Sequence, residues 1–147
     1  MTDHDDLSAG EPTPLRVLVV DDDAVDRAAV RRVLARARLA ARVDEAQGVL
    51  EAIERLTQTR FDCVLLDFNL PDGDGLTFLR GLRTAGIAVP VVMLTGQSDP
   101  EVVADLVMAG AADYLPKSQL SPERLVQALS RCCAAHDAVR ALQERAE

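Results

Sequence analysis

The chain has 147 residues, 48% of them hydrophobic and 27% charged, with a formal net charge of −8. This describes one soluble globular domain with a sizeable core; without a basic cluster it excludes nucleic-acid binding by charge, and no apolar run approaches the ~20 residues of a membrane span. The acidic and polar residues after Met1 form no secretion leader, and Cys63, Cys132 and Cys133 give neither a disulfide framework nor, with His4 and His136, a zinc site, so a reduced cytoplasmic setting is expected.

Residues 1–14 are acidic, contain Pro12 and Pro14, and are expected to be a disordered lead-in. Arg16–Val20 is a continuous apolar run, the pattern of a strand buried on both faces. A helix is predicted from Ala24 to about Arg38, with Val25, Ala29, Val33 and Ala37 at i, i+4 spacing and Val30 and Leu34 beside them. A short strand at Arg42–Glu45 precedes a helix with Ala46, Val49, Ile53 and Leu56 on one face. Phe61–Leu66 reads as the third strand, and two Asp-Gly pairs in Asp67–Asp74 signal turns before a helix carrying Leu76, Leu79 and Leu82. Val89–Leu94 is the fourth strand. Asp99-Pro100-Glu101 starts a helix with Val103, Leu106 and Val107 that stops at Gly110. Ala112–Leu115 is the fifth strand, and Ser121-Pro122-Glu123 caps a last helix that continues to about Glu144. Strands alternating with helices make βαβ units, a parallel sheet and helices on both faces.

Ligands in such a sheet bind at the carboxyl ends of the strands. The first strand runs into Asp21-Asp22-Asp23, the third into Asp67, the fourth into Thr95-Gly96, and the fifth into Lys117, the single lysine among sixteen basic residues. Asp23 reads as an N-cap for the first helix. Asp21, Asp22 and Asp67 gathered together would repel by roughly several kcal/mol, which a hard divalent cation such as Mg²⁺ offsets, with Mn²⁺ an acceptable substitute. Lys117 adds a point charge, Thr95 a short donor, and Gly96 allows close approach to backbone N–H groups. Cation, ammonium, hydroxyl and amides around a carboxylate describe a phosphoryl site.

These residues stand in VLVVDDD, VLLDFNLPDGDGL, PVVMLTG and GAADYLPK, in order and well spaced. With all four in register, the chain resembles the receiver domain of two-component response regulators over about residues 15–135. The resemblance implies a (βα)5 flavodoxin-like fold, a doubly wound five-stranded parallel sheet of order 2-1-3-4-5. It implies that Asp67 accepts a phosphoryl group from a histidine kinase or a histidine phosphotransfer protein. Mg²⁺ would be held by Asp22, Asp67 and the Asn69 backbone carbonyl, and by Asp21 through water. Lys117 would pair with Asp67 and then with the phosphoryl group, whose contacts would include the Asn69 and Gly96 backbone. Thr95 would swing onto a phosphoryl oxygen and Tyr114 would turn inward behind it. Asn69 and Gln97 occupy positions that tune hydrolysis. Output would run through a downstream protein or a fused output domain, without direct nucleic-acid or membrane contact.

The chain departs from that pattern around the lysine. Receivers carry proline after it, often with a cis bond; here Ser118 follows and Pro116 precedes. A cis Lys117–Ser118 bond would cost about 3 kcal/mol, so a trans bond and a re-routed loop are expected. Residues 136–147 extend past the sheet as a helical linker or a pairing surface for a second copy; the stripe Leu125, Leu129, Cys132, His136, Val139 has heptad spacing. His136 reads as an interface histidine rather than a phosphohistidine. Asp67–Phe78 lacks the Gly at the sixth place and the Glu at the twelfth that a calcium loop needs. Two alternatives remain: a phosphatase of the haloacid dehalogenase type, whose opening VLVVDDDAV would fit, and a degenerate receiver serving as a binding or dimerisation module.

Overall fold

The computed structural model describes residues 14–37, 40–96 and 100–132. Its elements alternate as the hydrophobic pattern requires. Strands are β1 (Leu15–Val20), β2 (Ala41–Ala46), β3 (Cys63–Asp67), β4 (Val91–Thr95) and β5 (Asp113–Pro116). Helices are α1 (Ala24–Arg36), α2 (Val49–Gln58), α3 (Gly75–Thr84), α4 (Pro100–Met108) and α5, helical over 122–132. The five strands form one parallel sheet in the order β2-β1-β3-β4-β5, as expected. None of the described helices is long and apolar enough to cross a membrane.

Successive side chains of a strand alternate between faces, and the core divides accordingly. Leu18, Val20, Val64, Leu66, Val91 and Met93 join Ala52 of α2, Phe78, Leu79 and Leu82 of α3 and Leu106 of α4. Val17, Val19, Cys63, Leu65, Val92, Leu94 and Leu115 join Val30 and Leu34 of α1 and Leu125, Ala128, Leu129 and Cys132 of α5. Helices α1 and α5 therefore cover one face and α2–α4 the other. Each fully buried Leu or Val adds about 1.5–3 kcal/mol over leaving it in water, so the central strands dominate the stability.

Three helix faces differ in part from expectation. On α1 the buried residues are Val30 and Leu34, while Val25 is 72% exposed. On α2 Ala52 is buried and Ile53 is 43% exposed. The rest of each stripe meets the core: Val33 packs beside Val30 and Leu34, and Val49 and Leu56 pack on the α2–α4 side, so only the edge of each stripe is set differently by tertiary packing. On α4 Leu106 is buried, but Val107 faces solvent.

Strand ends also shift. Pro90 offers no N–H, so the β4 ladder begins at Val91 rather than Val89, while the Pro90 carbonyl accepts from Val64 N–H at 2.9 Å. Asp67 stays within β3 because it pairs with Leu94. Of the two Asp-Gly pairs, Asp72-Gly73 belongs to the turn of a short ladder between Asn69–Leu70 and Gly73–Asp74 that the sequence did not suggest. The other is a helix start: Asp74 is the N-cap of α3, its side chain accepting from Thr77 N–H at 2.7 Å. Among the described residues no peptide bond is cis, so Lys117–Ser118 is trans as expected, and the chain leaves β5 through a 3₁₀ turn, Lys117–Gln119. The lead-in to residue 13, Gln97, and residues 133–147 with His136 and the helical extension lie outside the described residues.

Candidate functional site

Sheet register brings the candidate residues together. Val20, Leu66, Met93 and Tyr114 stand level across β1, β3, β4 and β5. One step on, Asp21 leaves β1 beside Asp67. Thr95 pairs with Pro116, and Lys117 follows directly. Side-chain oxygens of Asp21, Asp22 and Asp67 lie within 4.8 Å of one another. Asp21 and Asp67 are 1% and 5% exposed; Asp22 faces solvent.

The backbone around these acids is fixed. Asp21 N–H donates to Ala46 O at 3.0 Å, and the Asp21 carbonyl accepts from Arg27 Nη1 at 2.8 Å. Asp21 Oδ1 accepts from Asp23 N–H at 3.0 Å, and Asp23 caps α1 by accepting from Val25 N–H at 2.8 Å, the role expected of it. Phe68 N–H donates to Leu94 O, and Gly75 N–H to Phe68 O. A Cβ on Gly75 would stand 2.9 Å from Met93 Sδ and 3.0 Å from Asp67 O, so only glycine lets α3 start this close to the end of β3. Asp72 ties the same loop to α2, accepting from Val49 N–H at 2.8 Å and Leu50 N–H at 3.2 Å; these bonds hold its carboxyl below the usual carboxylate range.

Charge in the site is unbalanced. At this separation two unit charges repel by about 3–4 kcal/mol for an effective dielectric near 20. Burial, and then the Asp21 charge, push the Asp67 carboxyl above its ordinary value, and Lys117 offsets this only in part. Lys117 is half-buried, and burial works against its ammonium. The hydrogen bonds to Asp26 and Asp21 and the Asp67 charge outweigh that and hold it charged well above its usual range. Its Nζ lies 2.8 Å from Asp26 Oδ2, 3.0 Å from Asp21 Oδ2 and 3.4 Å from Asp67 Oδ2.

Asp26 is the residue that sequence reading missed. An acid in the first turn of a helix is ordinarily a favourable partner for the helix dipole, and nothing distinguished it from one. The available signal was scarcity: with a single lysine, every nearby acid competes for it.

The remaining candidates border the acids. Asn69 N–H donates to Asp67 Oδ1 at 3.3 Å. Thr95 is buried at the end of β4 and, with Phe68, Asn69 and Val102, lines a cavity of about 160 Å³. Gly96 is exposed, with open space where a Cβ would point. Tyr114 is half-buried against the α2–α4 side of the core. The three clustered carboxylates fit a hard divalent cation, which prefers oxygen ligands and relieves their repulsion.

The profile of the response regulator receiver domain matches residues 17–130. Response regulator MprA of Mycobacterium sp. (strain KMS) is 44% identical over 105 residues, 71% of this chain and 44% of that protein. Protein-glutamate methylesterase/protein-glutamine glutaminase 1 of Anaeromyxobacter dehalogenans (strain 2CP-C) is 37% identical over 118 residues, 79% of this chain and 33% of that protein. The chain thus spans less than half the length of these relatives. Among solved structures, the chemotaxis response regulator CheY4 of Vibrio cholerae superposes with a TM-score of 0.72 at 31% identity, covering 82% of this chain and 99% of that one. The signal receiver domain of an HD domain-containing protein from Pseudomonas fluorescens Pf-5 gives 0.77 at 23% identity over 86% and 99%, a likeness of fold. With its five-stranded parallel sheet and its acids at the strand ends, the chain belongs to the response regulator receiver domain family of two-component systems.

Proposed function

We propose that Asp67 is the phosphoacceptor of a phosphorelay, taking its phosphoryl group from a histidine kinase or histidine phosphotransfer protein. The observation that carries this reading is the buried Asp67 carboxylate at a strand end, with two further carboxylates within 4.8 Å and the only lysine 3.4 Å away. Asp67 attacks phosphorus in line. The N–P bond of the donor breaks with its electron pair left on the imidazole nitrogen, and the proton on the other ring nitrogen keeps the departing ring neutral. The product is an aspartyl phosphate.

Asp21, Asp22, Asp67 and the Asn69 carbonyl would hold Mg²⁺, or Mn²⁺ in its place. When bound, such a cation supplies charge to the phosphoryl oxygens. Around it the chain's own groups act. Lys117 brings an ammonium to the developing charge, where a compact, mobile donor serves better than a planar guanidinium. The Asn69 N–H, which donates to Asp67 Oδ1 at 3.3 Å, and the Gly96 N–H would turn to equatorial oxygens. Thr95, beside its cavity, would swing its hydroxyl onto one of them, and Tyr114 would move into the space behind, shifting the α4–β5–α5 surface. Asn69 and Gln97 flank the approach of the hydrolytic water.

Output runs through protein contacts or an attached domain, in the cytoplasm, and residues 136–147 would pair with a second copy. Family membership sets the phosphatase alternative aside, and the complete acid set speaks against a degenerate receiver. Intact mass after incubation with Mg²⁺ and acetyl phosphate tests the reading. One added phosphoryl on the wild type and none on Asp67→Asn is expected; no adduct on the wild type, or an undiminished one on the variant, would overturn it.

A further inference from the structure

The tightest contact of Lys117 is not with a residue of the cation cluster. Asp26, on the first turn of α1, lies 2.8 Å from Nζ and is absent from the group of carboxylates that could share an ion. An ammonium has three N–H donors. Asp26 and Asp21 take hydrogen bonds at 2.8 and 3.0 Å. The remaining oxygen, Asp67 Oδ2, is 3.4 Å away, beyond the usual N–H···O range of about 2.7–3.2 Å. Lys117 is therefore drawn toward α1, away from the carboxylate where charge develops. The contact is consistent with the fold: Leu115, two residues before Lys117, packs on the α1 and α5 face, and Asp26 lies on the first turn of α1.

We propose that Asp26 is a positioning residue that holds the Lys117 ammonium on the α1 side of the site and thereby slows phosphoryl arrival at Asp67. This rests on the phosphoacceptor reading above. With an acyl phosphate donor the transfer balances without a proton: Asp67 oxygen bonds to phosphorus, the phosphorus–acyl oxygen bond breaks, and the carboxylate leaves with the pair. To meet the phosphoryl oxygens Lys117 must release Asp26. A partly exposed ion pair of this kind is a modest restraint, so its loss is expected to speed transfer by about two- to fivefold.

The test is the rate of adduct formation with acetyl phosphate and Mg²⁺, followed by intact mass on the full chain, after circular dichroism shows each variant folded. Asp26→Asn is expected to react faster and Asp26→Glu at the wild-type rate. In a Lys117→Ala background, Asp26→Asn is expected to change nothing; a purely structural role for the helix acid would persist there. An equal or slower rate in Asp26→Asn, or the same acceleration without the lysine, overturns the proposal alone. Absence of any adduct on the wild type overturns it together with the phosphoacceptor reading.

Discussion

Helix α1 serves two ionic clusters of opposite balance. On its β2 side, Arg27 and Arg31 both clasp Glu45, with Arg27 Nε 2.6 Å from Glu45 Oε1, and Arg31 Nη2 also donates to Val43 O at 2.9 Å. Two cations serve one acid, and the Glu45 carboxyl is held below its ordinary value, first by Arg31 and then by Arg27. On its β5 side, Lys117 serves Asp21, Asp26 and Asp67, with Asp22 close by. There one cation serves several acids, and burial, then the Asp21 charge, push the Asp67 carboxyl upward. The first cluster is complete and behaves as a clasp between helix and sheet. The second has more acids than its one lysine balances, which is why a divalent cation is proposed there. Charge imbalance in a buried site, rather than the number of ion pairs, separates chemistry from scaffolding.

The contrast breaks most severely at the lysine. Lys117→Ala is expected to slow adduct formation with acetyl phosphate by about 10²-fold, the scale for losing one preorganised donor to a developing oxyanion; a fall under threefold in a time course by intact mass would remove the lysine from the chemistry. Next is the cation. Mg²⁺ at 100 times its dissociation constant is expected to stabilise the fold by about 2.7 kcal/mol, read as a rise in Tm, and Asp22→Asn is expected to abolish most of that rise. A similar Mg²⁺ response in both proteins would place the ion elsewhere.

Without divalent cation, Asp67→Asn removes a repelled charge and is expected to raise Tm by about 3 °C. The sign follows from the raised Asp67 value. The folded state binds the proton more readily than the unfolded chain, whose value is 3.8. Wild-type stability therefore falls as pH rises from 3.8 through the folded value, and the Asn variant lacks that slope. A Tm lowered by Asp67→Asn would show the acid to be a net stabiliser.

The smallest effect belongs to the clasp. Glu45→Gln is expected to cost about 0.5 kcal/mol, because the pair is partly exposed and screened. Its contribution is present above the ordinary value of 4.5 and is lost as pH falls through the depressed folded value. Urea titrations at pH 7 and pH 3 check this: wild type and variant converge at the lower pH, while adduct formation at pH 7 is unchanged.

The strand-end residues were legible because a buried parallel sheet leaves an unmistakable trace. Val17–Val20 and Val64–Leu66 are apolar without interruption, and the residue where each run turns acidic, Asp21 or Asp67, must lie at the edge. Asp23 was legible as a cap because capping is local. What failed required knowledge of neighbours. Val25 and Ile53 fit helical periodicity, yet they face solvent because the line along which a helix meets a sheet is set by other elements. The Asp26–Lys117 contact joins residues 91 apart in sequence, and no local pattern encodes it. The Asp72 cap on α2 likewise spans two loops.

The central claim concerns one atom group, the Asp67 carboxylate. Phosphorylate the chain with acetyl phosphate and Mg²⁺, confirm that the adduct is lost in hydroxylamine as an acyl phosphate must be, and locate it by tandem mass spectrometry of peptides. The phosphoryl group on Asp67 is the predicted result; its location on Asp21 or Asp22, or a hydroxylamine-stable adduct, would contradict the account.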